Sequence, residues 1–408
     1  MLRATFGLLE SRDHGATFGW VCPSALGYDG DKEDPALAFT SQGALAVGVF
    51  DGLTVAPDGA CGFAFAEGEL AGRYFIDFAS SGADVVALSS NGVAADTFDV
   101  RLWRAGADGA TFEAFGAPLP SDFLALSVEL GPPKSRRILL SGRDGTSSGA
   151  MGTPSYAGVL FRSDDDGATW QRLALAGIDG VDEAALLGAI SPADPERVYL
   201  RTQKKTDTER RDRLLVSDDG GATFAESFAR DFALSSFALS PDGGAVAIGG
   251  EKAGIWLASA AALDFALASS LHVGCLAFGP AELYACTHEY IDGHALAVSR
   301  DQGATFEPLF SFASLCSAAE CASDTRVGEV CPSLWPVEAG ELSVKATCAL
   351  PPPPPPPPIE SCDCHGARGV GRPPAGSAGS GPLLGRAGSA PILALLVLAG
   401  VARRRRVA

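Results

Sequence analysis

The sequence predicts an all-β chain folded as a seven-bladed β-propeller, with six blades as the alternative count. Three observations predict it. An octapeptide, S-x-D-x-G-A-T-[FW], recurs between Met1 and Phe312. Its spacing matches the length of one four-stranded blade. Between the copies lie short apolar or alternating runs bounded by turn residues, which is the pattern of strands and not of helices.

Four copies are close to one another. They are SRDHGATF (Ser11–Phe18), SDDDGATW (Ser163–Trp170), SDDGGATF (Ser217–Phe224) and SRDQGATF (Ser299–Phe306). A decayed copy is AGADGATF at Ala105–Phe112, with weaker traces at Val55–Gly62 and Ala258–Phe265. The seven segments begin at residues 11, 55, 105, 163, 217, 258 and 299, in steps of 41 to 58 residues. Strand-like runs between them include ALAVGVF (Ala44–Phe50), DVVALSS (Asp84–Ser90), RVYLRT (Arg197–Thr202) and AVAIGG (Ala245–Gly250).

Each residue of the repeat has a turn role. Gly15, Gly167, Gly221 and Gly303 suit a backbone position with positive φ. Asp13, Asp165, Asp219 and Asp301 can accept hydrogen bonds from turn amides. Ser11, Ser163, Ser217 and Ser299, with Thr17, Thr169, Thr223 and Thr305, can lock the same turn through their hydroxyls. Phe18, Trp170, Phe224 and Phe306 are expected to pack inward. The aspartates sit on different blades and cannot converge on one ligand, so their expected role is structural. The octapeptide resembles the Asp box of sialidases, sortilin-type receptors, some glycoside hydrolases and photosystem-assembly factors. That resemblance implies a propeller in which the box joins the third and fourth strands of a blade.

Composition narrows the function classes. The formal net charge is −18, and the stretch from Pro351 to Ala408 carries seven Arg against one Glu and one Asp. The globular part is therefore strongly acidic, which argues against nucleic-acid binding, since that needs a basic footprint. Ten cysteines fit an oxidising compartment. In Val273–Glu289 the runs VGCLAF and LYACTHE flank the turn GPAE. If Phe278 faces Leu283, then Cys275 faces Cys286, near enough for a disulfide. Residues 313–350 form a Cys-rich extension, expected to be compact and loop-like, in which Cys316, Cys321, Cys331 and Cys348 suit two further bridges.

The start, MLRATFGLLESRDHG, has no charged n-region followed by a long apolar core and cleavage site. Ten residues precede the first octapeptide, enough for about one strand. The expectation is a first blade cut short, with a start roughly 30–60 residues upstream encoding a strand or two and a signal peptide. The alternative is that GELSVKATC (Gly340–Cys348) returns to complete that blade.

Beyond Cys348 the character changes. Eight consecutive prolines (Pro351–Pro358) predict a polyproline II spacer. Residues 351–386 read as a Pro-rich and Gly/Ala/Arg-rich disordered linker containing Cys362 and Cys364. Residues 387–408 read as a short transmembrane or sorting helix closed by Arg403–Arg406, whose charge places the tail inside and the propeller outside. Cys motif, linker, apolar helix and Arg cluster together resemble the MYXO-CTERM tail of myxobacterial surface proteins. The resemblance implies cell-surface display, with Cys362 and Cys364 at the position processed by a sorting protease.

Catalytic motifs are scarce. There is no G-x-S-x-G, no Walker loop and no dinucleotide-binding glycine pattern in context. The early F/Y-R-I-P motif of sialidases is missing. THEYIDGH (Thr287–His294) departs from H-E-x-x-H, and with Asp29–Asp34 it reads as a solvated loop. The expected function is a non-catalytic cell-surface binding or adhesion module, with a glycan or protein ligand, no cofactor, no metal and no catalytic residue assigned. A carbohydrate-active hydrolase and a structural envelope protein are the alternatives. Two or three carboxylates with an Arg or aromatic at the channel mouth would favour the hydrolase.

Overall fold

The computed structural model describes residues 1–28, 35–146, 155–178, 180–206, 210–344 and the backbone of 396–397. Seven small sheets make a β-propeller. Blade one holds β1 (Leu2–Ala4), β2 (Gly7–Glu10) and β3 (Gly19–Val21). Blade two holds β4 (Ala36–Phe39), β5 (Leu45–Val49), β6 (Gly52–Ala56) and β7 (Ala64–Phe65). Blade three holds β8 (Phe75–Ser81), β9 (Asp84–Ala94), β10 (Thr97–Ala105) and β11 (Phe112–Phe115). Blade four holds β12 (Phe123–Leu130), β13 (Ile138–Thr146), β14 (Ser155–Ser163) and β15 (Gln171–Ala174). Blade five holds β16 (Glu183–Ile190), β17 (Val198–Lys205), β18 (Arg210–Ser217) and β19 (Ala225–Arg230). Blade six holds β20 (Ser236–Leu239), β21 (Ala245–Gly250), β22 (Gly254–Ser259) and β23 (Ala266–Ser269). Blade seven holds β24 (Val273–Phe278), β25 (Leu283–Thr287), β26 (Leu296–Ser299) and β27 (Glu307–Phe310). Blades two to seven are four-stranded antiparallel meanders.

Blade one adds two short strands in parallel. β28 (Ser317–Ala318) lies outside β3, and β29 (Leu396–Val397) lies beside β1. The expected return of Gly340–Cys348 to this blade does not occur in its described part, because Gly340 and Glu341 belong to a helix.

The core lies between blades. Side chains alternate along each strand, so a central strand such as β9 buries both faces against its two neighbours. Trp103 and Phe75 fill the space between blades two and three with Leu53 and Val85. Between blades three and four, Phe123 and Phe161 pack at 4.6 Å centroid separation among Val86, Leu88 and Leu140. Between blades four and five the buried Ser127 and Ser141 hydroxyls sit 2.6 Å apart. Ser127 accepts from Leu187 N and Ser141 donates to Ala185 O, which satisfies polar groups that burial would otherwise penalise. The inner strands β8, β12, β16 and β24 share an irregularity in register, at Phe75/Asp77, Ala125/Ser127, Leu187/Ala189 and Val273/Cys275. Such bulges increase local twist, as a closed ring of twisted sheets requires.

The Cys-rich extension, expected to be loop-like, carries a helix among its described residues. The helix spans Arg326–Glu341, with Thr325 as N-cap accepting from Gly328 N at 3.3 Å. Val327 and Cys331, one turn apart, form its buried face. Pro332 and Pro336 lie inside this helix. Two bridges leave the segment, where pairing within it was expected: Cys331 pairs with Cys22 and Cys321 with Cys61. Cys316 is disulfide-bonded too. Trp335 packs on Trp20 at 6.0 Å, and Val327 N donates to Cys61 O at 3.1 Å. The extension thus ties the end of blade seven across blades one and two. Cys275 opposes Cys286 in the register Phe278↔Leu283, and the two form the third disulfide.

Candidate functional site

Antiparallel order divides the connections between two faces of the ring. Hairpins joining first to second and third to fourth strands lie on one face. Hairpins joining second to third strands, and links to the next blade, open towards the other.

The octapeptides occupy the first face, each joining a third strand to a fourth. Their geometry repeats. Ser163 Oγ donates to Asp165 Oδ1 at 2.8 Å and accepts from Gly167 N at 2.8 Å. Thr169 gives its N–H to Asp165 Oδ1 and its hydroxyl to Oδ2, at 2.8 and 2.7 Å. The same bonds join Ser11, Asp13, Gly15 and Thr17. They recur in Ser217, Asp219, Gly221 and Thr223, and in Ser299, Asp301, Gly303 and Thr305. The Thr hydroxyl, the Thr amide and the Ser hydroxyl hold the carboxyls of Asp165, Asp219 and Asp301 down to about 2. Both carboxylate oxygens are committed within the turn. The glycines have φ of 90°, 82°, 91° and 90° at Gly15, Gly167, Gly221 and Gly303. The residue before each, His14, Asp166, Gly220 or Gln302, also has positive φ, which the motif did not announce.

These turns also join blades. Trp170 donates to Ala117 O in the link from blade three at 3.1 Å. Phe18 packs on Phe310 of blade seven at 4.4 Å. Phe224 and Phe306 pack against the clusters shared with blades four and six. Asp166 pairs with Arg104 of blade three at 2.5 Å. Arg137, nearly buried, bridges Asp164 and Glu196 of blade five at 2.7 Å each. Sequence reasoning missed these ion pairs. The extra acids of SDDDGATW were the available signal.

The opposite face carries most of the exposed apolar surface. Apart from Leu267, Leu334 and Val337, every exposed large apolar side chain among the described residues lies on its hairpins, links or adjoining strand ends. Phe50 follows β5 and packs at 4.8 Å on Tyr74, which precedes β8. They are 48% and 40% exposed, where apolar burial would hide them. Val93, Phe232, Tyr290 and Ile291 continue the pattern around the ring. Polar groups stand among them. Arg73 holds Asp99 at 2.8 Å, and Arg101 bridges Asp99 and Glu69. Beside this group is a cleft of about 350 Å³ lined by Phe98, Asp99, Val100, Arg101, Phe115 and Leu119.

THEYIDGH lies on this face and forms a short helix (Glu289–Asp292), where a turn was expected. Its acids organise the loop. Asp292 Oδ1 sits 3.0 Å from His272 Nδ1, and its Oδ2 accepts from His272 N and His288 N. Glu289 accepts from Ser311 Oγ and Phe312 N at 2.7 Å each. Among the described residues no three His, Cys, Asp or Glu side chains are grouped to hold a metal.

The channel holds a second cluster that the sequence did not single out. Asp77 on β8 accepts from Phe78 N and, across the blade boundary, from Val128 N, both at 2.9 Å. Burial pushes its carboxyl up to about 7, against these two bonds and the charge of Arg3. Burial also raises Glu129 on β12 well above the usual range, helped by repulsion from Asp77. Arg3 on β1 donates to Pro35 O at 2.7 Å and lies within electrostatic reach of Asp77. Cys362 and Cys364 lie outside the described residues, as do Asp29–Asp34 and the proline run.

The fold defines the class: this is an all-β, seven-bladed propeller with three disulfides formed wholly among the described residues. Comparison with known proteins adds no narrower name. No family model matches the chain, and no curated protein does. Among solved structures, YCF48 bound to a D1 peptide is similar, with a TM-score of 0.45, 12% identity, and 68% of this chain and 81% of that one covered. A xyloglucanase of Xanthomonas campestris has a TM-score of 0.35 and 15% identity over 79% of this chain and 63% of that one. An oligogalacturonate lyase in complex with manganese has a TM-score of 0.44 and 10% identity over 64% and 75%. At such identities a likeness concerns the fold alone.

Proposed function

We propose that the protein is a non-catalytic binding module that takes a surface glycan or protein on the face opposite the octapeptides. The observation that carries this reading is the placement of exposed aromatic and aliphatic side chains. They gather on one face, around Phe50 and Tyr74, and a cleft runs beside Arg101 along the outer strands of blade three. Planar aromatics with charged neighbours suit a ligand that offers both an apolar face and hydrogen-bonding groups.

Three disulfides suit an extracellular or otherwise oxidising environment. Among the described residues no helix is long and apolar enough to cross a membrane. Within the proposal, the octapeptides are Asp boxes that lock each blade to its neighbour. Residues 351–386 are the spacer, and residues 387–408 are the membrane or sorting element, with Cys362 and Cys364 at its processing site.

The test is a screen of immobilised glycans and envelope proteins with the purified chain, repeated with Phe50→Ala/Tyr74→Ala. Binding that weakens at least about tenfold in the variant, the usual effect of removing an aromatic anchor, supports the reading. Ligands bound equally by both proteins would overturn the assignment to this face.

A glycosidase is the second reading, favoured by the Asp77–Glu129 pair and nearby Arg3. Paired carboxylates are the usual equipment of glycoside hydrolysis. Both lie along the inner strands and not at the mouth, and Asp77 is already engaged by two backbone amides. Release of reducing ends from a polysaccharide panel, lost in Glu129→Gln, would establish it in place of the first reading. The third reading, a structural envelope protein, calls for a shallow and bare channel mouth.

A further inference from the structure

Blade one differs from the other six in how its channel-facing strand is supplied. In blades two to seven the first of four consecutive strands lies innermost and runs antiparallel to the second. In blade one the octapeptide joins β2 to β3, so these are the third and fourth strands and β1 is the second. The innermost place, between β1 and the inner strand β24 of blade seven, is taken by β29. It pairs with β1 in the register Leu2↔Leu396 and Arg3↔Val397. It is parallel to β1 and two residues long, where the other inner strands are antiparallel and at least four.

The strand that it covers is well inside the ring: Leu2 and Ala4 are buried. A sheet edge there carries N–H and C=O groups that water reaches poorly, so a partner strand removes a real penalty. The sequence around β29, AGSAPILALLVLAGVA, is apolar for most of its length. An apolar strand fits a ring interior. The same composition also suits a lipid bilayer, but there the backbone must be helical to satisfy its own hydrogen bonds.

We propose that the inner edge of β1 is a strand-acceptor site for the chain's own C-terminal apolar segment, and that this segment has two mutually exclusive homes, blade one and a membrane. Docking on β1 stands on the observed pairing. The second home rests on the membrane reading of the tail given above. A parallel pair of two residues makes few hydrogen bonds, so the strand can be withdrawn without unfolding the blades. Insertion of the tail therefore opens the edge of β1, and the docked state keeps the apolar segment out of water before insertion.

Hydrogen exchange of the full-length protein, with and without phosphatidylcholine vesicles, tests both parts. Amides of Leu2–Ala4 are expected to exchange slowly in the wild type. They should exchange about tenfold faster in Leu396→Pro/Val397→Pro, the effect of losing one or two hydrogen bonds. Leu396→Ala/Val397→Ala keeps the backbone donors and should stay near wild type, which separates pairing from side-chain loss. Unchanged exchange in the proline variant overturns the acceptor site. Vesicles that bind the wild type should speed the same amides. Binding without faster exchange overturns mutual exclusivity. No vesicle binding overturns the membrane reading and the competition together, while the proline arm still decides the docking.

Discussion

Removing the Cys61–Cys321 bridge probes how the ring is closed. This bridge joins blade two to the C-terminal extension across a separation of 260 residues, and Cys22–Cys331 spans 309. The two are nested. With Cys22–Cys331 intact, Cys61 and Cys321 are linked through about 40 residues on one side and about 10 on the other, a loop of roughly 50. Chain entropy then assigns the second bridge about 4 kcal/mol. Removing both also frees the longer loop and raises the loss to about 10 kcal/mol, comparable with the entire stability of an ordinary domain. By the same relation Cys275–Cys286, which closes only an 11-residue separation, contributes about 3 kcal/mol. The assay is urea unfolding of Cys61→Ala/Cys321→Ala, of the four-cysteine variant, and of Cys275→Ala/Cys286→Ala. The expected order is a large loss for the first, no cooperative fold for the second, and the smallest loss for the third. A Cys61→Ala/Cys321→Ala protein within about 1 kcal/mol of wild type, with an unchanged denaturant slope, would falsify the claim that the extension closes the ring.

Three further outcomes follow from named groups. Asp165 is held at about 2 by Thr169 and Ser163, below its ordinary 3.8, so its contribution is complete above pH 4 and lost as pH falls towards 2. The stability gap between wild type and Asp165→Asn should therefore close over that interval in pH-dependent urea melts; a constant gap would show that the turn does not depend on the charge. Glu129 has the opposite sign: its carboxyl is raised, so the folded state loses stability as pH rises above the unfolded value near 4.5. Glu129→Gln should be more stable than wild type at pH 8 and close to it at pH 4, and a variant weaker at pH 8 would mean that the carboxylate has a partner worth more than its burial costs. Gly303→Ala should cost about 3 kcal/mol or more, because φ is 90° and the new methyl would overlap Leu257 of blade six. Gly43→Ala, with φ of 86° but open space around it, should cost about 1 kcal/mol; equal losses in thermal melts would remove inter-blade packing as the cause.

Much of the fold was legible because the repeat is local. Ser163, Asp165, Gly167 and Thr169 complete their hydrogen bonds within eight residues, so their spacing could be read without knowing the neighbours. The recurrence of that turn marked the blades, including blade six, where only a decayed trace remained. The Cys275–Cys286 pairing was equally local, set by one tight turn and the two-residue period of its strands. The extension was read as loop-like from its cysteines, and its helix carries Pro332 and Pro336, which oppose helix formation. Thr325 caps the helix, and burial of Val327 and Cys331 against blades one and two outweighs the prolines.

By itself, then, the sequence determined the all-β class, a propeller of seven blades with six as the alternative, and the turn that ends the third strand where the octapeptide is kept. These depend on contacts between residues close in the chain. Tertiary structure alone decided that Cys22 and Cys61 meet Cys331 and Cys321. It also brought Asp77, Glu129 and Arg3 to one channel, gathered Phe50, Tyr74 and Tyr290 on one face, and seated Leu396–Val397 beside β1. None of these has a local signature. Each arises because closing a ring makes neighbours of residues that no periodicity along the chain connects.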